Sequence, residues 1–302
     1  MDLGARVGTV SLPNPVMAAS GTAGHSTELA AYLDLSALGA VVTKSLLCEP
    51  WAGNPAPRVH EATAGMLNSI GLQGPGVEAW LEDDLPPLVA TGARVVASIW
   101  GRSVDEFAKA ATMLRGAPVV AVEVNISCPN VDDRKRMFAH SASATEEALD
   151  ATKACHLPRW AKLSPNVTDL VKIAKAARKG GAEAVTLVNT VMGMAIDPET
   201  RAYRLGAGGG GLSGPAMHPV AVRAVHDVHA ALPDLPIVGV GGIRSGEDAA
   251  ELLLAGASAV QVGTATFADP RACEKVLRGL RGWCRRHGVG QLDEIIGTGG
   301  RT

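Results

Sequence analysis

The chain has 302 residues, 47% of them hydrophobic and 19% charged, which is enough apolar material for a large core. Its 28 basic and 30 acidic side chains leave a formal net charge of -2, so no basic bias points to nucleic acid or to an anionic membrane surface. The five cysteines (Cys48, Cys128, Cys155, Cys273 and Cys284) include no C-x-x-C pair, which argues against a disulfide framework, a structural zinc or an iron–sulfur cluster.

The first twenty residues, MDLGARVGTVSLPNPVMAAS, hold no apolar run of signal-peptide or membrane-spanning character. A cytoplasmic protein with reduced thiols, acting on small molecules, is expected. Along the chain, short Val- and Ile-rich runs predict strands at 16–19, 40–43, 95–99, 119–124, 159–163, 184–188, 236–240 and 259–262. None alternates strictly, as expected for strands buried on both faces of a parallel sheet. Helix-like stretches lie between them, at 27–38, 77–89, 103–115, 145–155, 168–179, 218–231, 246–255 and 270–286. Ser245-Gly246-Glu247-Asp248 reads as a helix start with acids in its first turn. Eight strands alternating with eight helices predict a closed (β/α)8 barrel, a TIM barrel, although an open doubly wound sheet uses the same alternation. No break in composition marks a second domain, so residues 1–302 are expected to form one.

Each strand ends on residues with chemical potential. These are Ser20-Gly21, Lys44-Ser45, Ser98, Asn125, Lys162, Asn189-Thr190, Gly241-Gly242 and Gly263-Thr264. In a barrel such ends converge on one mouth, where active sites lie. Two long insertions, 46–76 and 191–217, leave the same end and are expected to cover it.

Particular residues sharpen this. Cys128 follows the fourth strand in Asn125-Ile126-Ser127-Cys128-Pro129-Asn130, so its thiol is expected at the mouth, where a thiolate can abstract a proton or attack carbon. The other four cysteines read as small buried hydrophobes. Lys162 ends a buried strand, and a lysine there is seldom structural, because burying its charge unpaired is costly. Residues 206–211 (GAGGGG) formally fit G-x-G-x-x-G, but they neither follow a strand directly nor open a βαβ unit; they read as a glycine-rich lid. His226 and His229 read as a solvated helix face, and no metal site is expected.

N-I-S-C-P-N resembles the catalytic-loop motif of class 1 dihydroorotate dehydrogenases. Class 2 members instead carry serine at the cysteine and a membrane-associating N-terminal extension. The resemblance runs along nearly the whole chain: T-K-S at 43–45, G-N-P-A-P-R at 53–58, G-M-L-N-S-I-G-L-Q at 65–73, K-L-S-P-N at 162–166, V-N-T at 188–190, L-S-G-P-A at 212–216, G-V-G-G-I at 239–243 and Q-V-G-T-A at 261–265 occur in family order. It implies oxidation of dihydroorotate to orotate in pyrimidine biosynthesis. Cys128 would take the C5 proton while hydride leaves C6 for FMN. Substrate contacts would come from Lys44, Asn68, Ser69, Ile70, Gly71, Leu72, Asn125, Asn189 and Thr190, the carboxamides matching the urea-like edge of the ring. Lys162 would stabilise reduced flavin. Ser20, Lys44, Ser45, Ser98, Asn125, Val188, Gly214, Gly241, Gly242, Gly263 and Thr264 would complete the FMN site, with phosphate at the loops after strands seven and eight.

Two features depart from the family pattern. Class 1B members continue the cysteine motif with a glycine-containing segment ending in Phe-Gly, whereas residues 131–140 here read VDDRKRMFAH. Ser98 stands where many relatives have asparagine. The 65–78 stretch resembles class 1B most. That implies a homodimer within a heterotetramer, whose second subunit carries FAD and a [2Fe–2S] cluster and passes electrons to NAD+. An alternative is a dihydropyrimidine dehydrogenase-like FMN enzyme acting on uracil or thymine.

Overall fold

The fold was analysed in a computed structural model that describes residues 2–127 and 138–300. Eight parallel strands close into a barrel in chain order. They are β1 (Val16–Ala18), β2 (Val41–Val42), β3 (Val95–Ile99), β4 (Ala121–Asn125), β5 (Arg159–Lys162), β6 (Ala184–Leu187), β7 (Ile237–Val240) and β8 (Ala259–Val262). Each coincides with an apolar run in the sequence. Every residue of β3, β4, β6, β7 and β8 is buried, which explains the lack of alternation: one face packs inside the barrel and the other against helices. The register sets Asn125 beside Lys162 on β4 and β5, so these two strand ends reach the mouth together.

The helices follow their local signals. Ser103 caps Val104–Met113 by accepting from Glu106 N, and Asp169 caps Leu170–Lys179 by accepting from Lys172 N. Ser245 and Asp248 form a reciprocal capping box at the start of Gly246–Ala255, where the sequence placed the acids. The 77–89 stretch departs from a regular helix. It passes through a π-helical segment at Trp80–Asp84, because Pro86 and Pro87 have no N–H to bond the carbonyls four residues back.

The expected helix at 27–38 is not formed. Two 3-10 turns, Glu28–Ala31 and Leu35–Ala37, replace it. The Glu28 carboxylate turns back to accept from His25 N and Ser26 N, while Asp34 accepts from Ser36 N and starts a new turn. These side chains compete with helix propagation by satisfying the backbone locally.

The two insertions meet over the mouth as a four-stranded antiparallel sheet. Val59–Ala62 and Gly65–Asn68 come from the first insertion, Val191–Met194 and Gly209–Ser213 from the second. The join pairs Asn68 with Gly211 and Leu67 with Leu212. The glycine run is therefore a strand of this roof and not a nucleotide loop. Its glycines are sterically required: a Cβ on Gly210 would lie 2.4 Å from Asn68 O, and one on Gly211 would lie 2.0 Å from Thr190 Oγ1.

Candidate active site

Between the strand ends and the roof lies a cavity of about 1050 Å3. Its walls bring together residues from all parts of the chain. Ser20, Lys44, Ser45, Asn125, Lys162, Val188, Asn189 and Thr190 come from the mouth of the barrel. Asn68, Ser69, Ile70, Gly71 and Leu72 descend from the roof, and Gly214, Gly241, Gly242, Gly263 and Thr264 line the opposite end. Ser98 is the exception among the described candidates, for it does not line the cavity. Its side chain is fully buried beneath Ser45, with the two hydroxyl oxygens 2.8 Å apart, so it supports the wall instead of forming it. Cys128 lies outside the described residues, as do Pro129, Asn130 and residues 131–137 of the divergent segment.

A chain of hydrogen bonds crosses the mouth. Asn189 Nδ2 donates to Ser127 Oγ (2.7 Å), which donates to Asn125 Oδ1 (2.8 Å). Asn125 Nδ2 donates to Ser45 Oγ (3.0 Å), which lies 3.4 Å from Ser20 Oγ. Residues at the ends of β6, β4, β2 and β1 are thereby locked to one another. Such a network fixes the rotamers of carboxamides that would otherwise turn freely, and so preorganises the wall.

The floor holds an ion pair. Lys162 Nζ lies 3.5 Å from Glu123 Oε1, and the side chains are 7% and 0% exposed. Oε2 of Glu123 accepts from Thr186 Oγ1 (3.1 Å) and Gln261 Nε2 (2.8 Å). The unpaired burial feared for Lys162 is thus avoided, by a partner that sequence reasoning missed. The available signal was Glu123 itself, a carboxylate in the middle of a fully buried strand. Asn166 was also missed. It donates from Nδ2 to Ser164 Oγ (2.9 Å) and Thr190 O (2.9 Å) and accepts from Met192 N (2.9 Å), tying the loop after β5 to the base of the roof.

The roof segment is stapled in turn. Trp51 Nε1 donates to Gly71 O (3.0 Å), Asn54 Nδ2 donates to Ser69 Oγ (2.8 Å), and Arg58 donates to Asn54 O (2.6 Å), Ala52 O (3.0 Å) and Gln73 Oε1. Lys44 stands under this segment. Burial first, and the Arg58 guanidinium second, hold its ammonium below the ordinary lysine range. An anion bound nearby would offset both effects by favouring the charged amine. At the other end Gly241 and Gly242 take φ of +142° and +70°, turning the backbone sharply after β7. Thr264 Oγ1 donates to Ser213 Oγ (2.8 Å), linking the loop after β8 to the roof.

The remaining cysteines are remote from such chemistry. Cys48, Cys155, Cys273 and Cys284 are buried free thiols. Burial pushes all four up, Cys273 to about 12, so none is a ready nucleophile.

The Lys162–Glu123 pair on the floor, Lys44 under the roof, a row of fixed carboxamides and a glycine-lined end thus meet in one cavity. Comparisons with known proteins agree in kind. The family model described as dihydroorotate dehydrogenase matches residues 3–283. A protein of Alkaliphilus oremlandii is 46% identical over 297 residues, covering 98% of each chain. One from Alkaliphilus metalliredigens is 47% identical over 290 residues, covering 96% of each. A third, from Desulforudis audaxviator, is 47% identical over 298 residues, covering 97% of this chain and 96% of its own. All three are named dihydroorotate dehydrogenase B (NAD(+)), catalytic subunit. The chain belongs to the dihydroorotate dehydrogenase family, a family of oxidoreductases.

Proposed function

We propose that this chain oxidises dihydroorotate to orotate in pyrimidine biosynthesis, using FMN held in the barrel mouth and Cys128 as general base. One observation carries the reading: the hydrogen-bonded chain from Asn189 through Ser127 and Asn125 to Ser45 spans the same cavity that Lys162 and Lys44 enter. The cavity suits FMN. Its volume, about 1050 Å3, is at the top of the range for a single ligand, roughly 300–1,000 Å3, leaving room for a substrate beside a tricyclic ring. Gly241, Gly242, Gly263 and Thr264 would hold the phosphate with main-chain donors, and Lys162 would face the pyrimidine end of the flavin.

FMN bound there supplies a two-electron acceptor for the hydride from C6. The protein does the rest. The thiolate of Cys128 removes the C5 proton, and that proton stays on sulfur until it passes to solvent. Lys44 attracts the substrate carboxylate. Asn68, Asn125 and Asn189, with Thr190, orient the ring by donating to its carbonyls and accepting from its N–H groups. The main chain of Ser69, Ile70, Gly71 and Leu72 supports it from the roof, and the antiparallel sheet limits water, which strengthens each electrostatic contact.

The same reading makes residues 1–302 one barrel domain in the cytoplasm. No helix among the described residues is long and apolar enough to cross a membrane. The relatives' names, dihydroorotate dehydrogenase B (NAD(+)), catalytic subunit, support a further subunit beside this chain; a dimer of this chain joined to an electron-transfer subunit carrying FAD and a [2Fe–2S] cluster completes the reading. The isolated chain is then expected to reduce NAD+ poorly.

The test is an anaerobic titration of the purified chain. Dihydroorotate should bleach its yellow absorbance, and dihydrouracil should not. A colourless protein that takes up no FMN, or bleaching by dihydrouracil alone, would reject the reading.

A further inference from the structure

We propose that Glu123 is the positioning residue for Lys162: a buried counter-ion that holds the ammonium directed at the cavity floor. The inference rests on the proposed FMN site. It goes beyond that site because Glu123 does not line the cavity and lies one layer below it, inside the barrel.

Three observations support it. First, the carboxylate is fully buried, yet only one of its oxygens is satisfied by neutral donors. Thr186 and Gln261 both donate to Oε2. Oε1 receives no hydrogen bond among the described residues and faces Lys162 Nζ at 3.5 Å. Two donors on one oxygen fix the plane of the carboxylate, so the free oxygen is aimed. Second, Lys162 makes no other ion pair among the described residues, and it lines the cavity that Glu123 does not reach. The pair is polarised, with its anion inside and its cation toward the ligand. Third, stability does not explain it. Barrel interiors are ordinarily layers of branched apolar side chains, and replacing a buried ion pair by such residues is often neutral or stabilising. A charged layer under the mouth therefore has its use at the mouth. Removing Glu123 leaves the lysine in a nearly dry site with no counter-ion to hold its position.

The experiment is a double-mutant cycle of Glu123→Gln and Lys162→Met, read by FMN dissociation constant from flavin fluorescence and by apoprotein melting temperature. Glu123→Gln keeps size and can still accept from Thr186 and Gln261. It is expected to weaken FMN binding about tenfold when Lys162 is present, and not to weaken it further in Lys162→Met. In the apoprotein the double variant should melt above Lys162→Met alone, because the orphaned carboxylate is gone. Glu123→Asp, which keeps the charge but not the length, should bind FMN better than Glu123→Gln. Should Glu123→Gln not fold, Glu123→Asp in the same two backgrounds gives the same reading, with weakening only while Lys162 is present. Equal weakening in both backgrounds, or none in either, would overturn the role of Glu123 while leaving the functional reading intact. A wild-type chain that binds no FMN would overturn both.

Discussion

Asn189 and Ser127 are joined across the barrel mouth: the carboxamide at the end of β6 donates to the serine hydroxyl at 2.7 Å, and that serine immediately precedes Cys128 in the chain. Ser127 in turn donates to Asn125 Oδ1, so one hydroxyl aligns two of the cavity-lining carboxamides. Ser127→Ala removes both bonds: Asn125 Oδ1 keeps only the longer main-chain bond from Ser127 N (3.3 Å), and the half-buried Asn189 loses the acceptor for its Nδ2. The substitution should lower stability by about 1–3 kcal/mol, read by urea denaturation. Because Asn125 and Asn189 lose their alignment, KM for dihydroorotate should rise as well. An unchanged KM would mean that the chain of hydrogen bonds is structural only.

Cys128→Ala should keep FMN and lose dihydroorotate oxidation by about 10²- to 10⁴-fold near neutral pH, the usual contribution of a positioned base. Stopped-flow flavin reduction checks this. Thiol chemistry offers an independent measure. Four of the five thiols are buried and pushed up by burial, so brief iodoacetamide treatment of the folded protein at neutral pH should label no more than one site per chain. That label should vanish in Cys128→Ala. Labelling spread over several cysteines would contradict the burial described.

Lys162→Ala should weaken FMN binding or slow flavin reduction by about 10²-fold, the scale expected for losing one preorganised charge at a reacting centre. It should also destabilise the apoprotein by about 3–5 kcal/mol, because Glu123 is left buried without its cation. A variant with wild-type FMN affinity and reduction rate would remove Lys162 from the chemistry.

The barrel was legible because every one of its strands is a short apolar run, and because burial on both faces leaves a recognisable signature, absence of alternation. The lining of the cavity was legible because polar residues sit at strand ends, which the barrel gathers without regard to sequence distance. The roof sheet was not. Its pairing of Asn68 with Gly211 joins two insertions far apart in the chain, and Gly209, Gly210 and Gly211 carry no side chains from which a period of two could be read. Glu123 was passed over for a related reason: strand periodicity weighs apolar residues, and a lone carboxylate inside such a run reads as noise until its partners are seen. The layer that Ser98 reaches was not legible either, because the end of a strand does not say how deep a short side chain lies. Here it is buried and bonded to Ser45, which does line the cavity.

Lys44 leads to a pH dependence. Burial and the Arg58 guanidinium lower its pKa in the free protein, so it loses its proton below the ordinary lysine value of about 10.4. An anionic ligand favours the charged amine. The sign follows: orotate binds most tightly on the acid side of the lowered value, and its dissociation constant rises as pH climbs through it. Titration calorimetry between neutral and moderately alkaline pH checks this, with Lys44→Met as control. The variant should bind more weakly throughout and lose that part of the pH dependence. A variant that keeps the full wild-type profile would assign it to another group.

The two glycine loops make a paired test of the phosphate end. At Gly242 the backbone lies at φ +70°, and an added Cβ would meet His218 Cβ at 2.7 Å and His218 N at 2.8 Å. Gly242→Ala must therefore strain or shift the turn after β7, at a stability cost of about 1–3 kcal/mol. Gly263 has no such constraint: its added Cβ would rest 3.5 Å from Ala19 Cβ, an ordinary contact. Gly263→Ala should melt within about 0.5 kcal/mol of wild type as apoprotein. If the loops after β7 and β8 hold the FMN phosphate together, both variants weaken FMN binding despite this difference in stability. Weakening confined to Gly242→Ala would mean that only backbone strain was measured, and would move the phosphate away from Gly263.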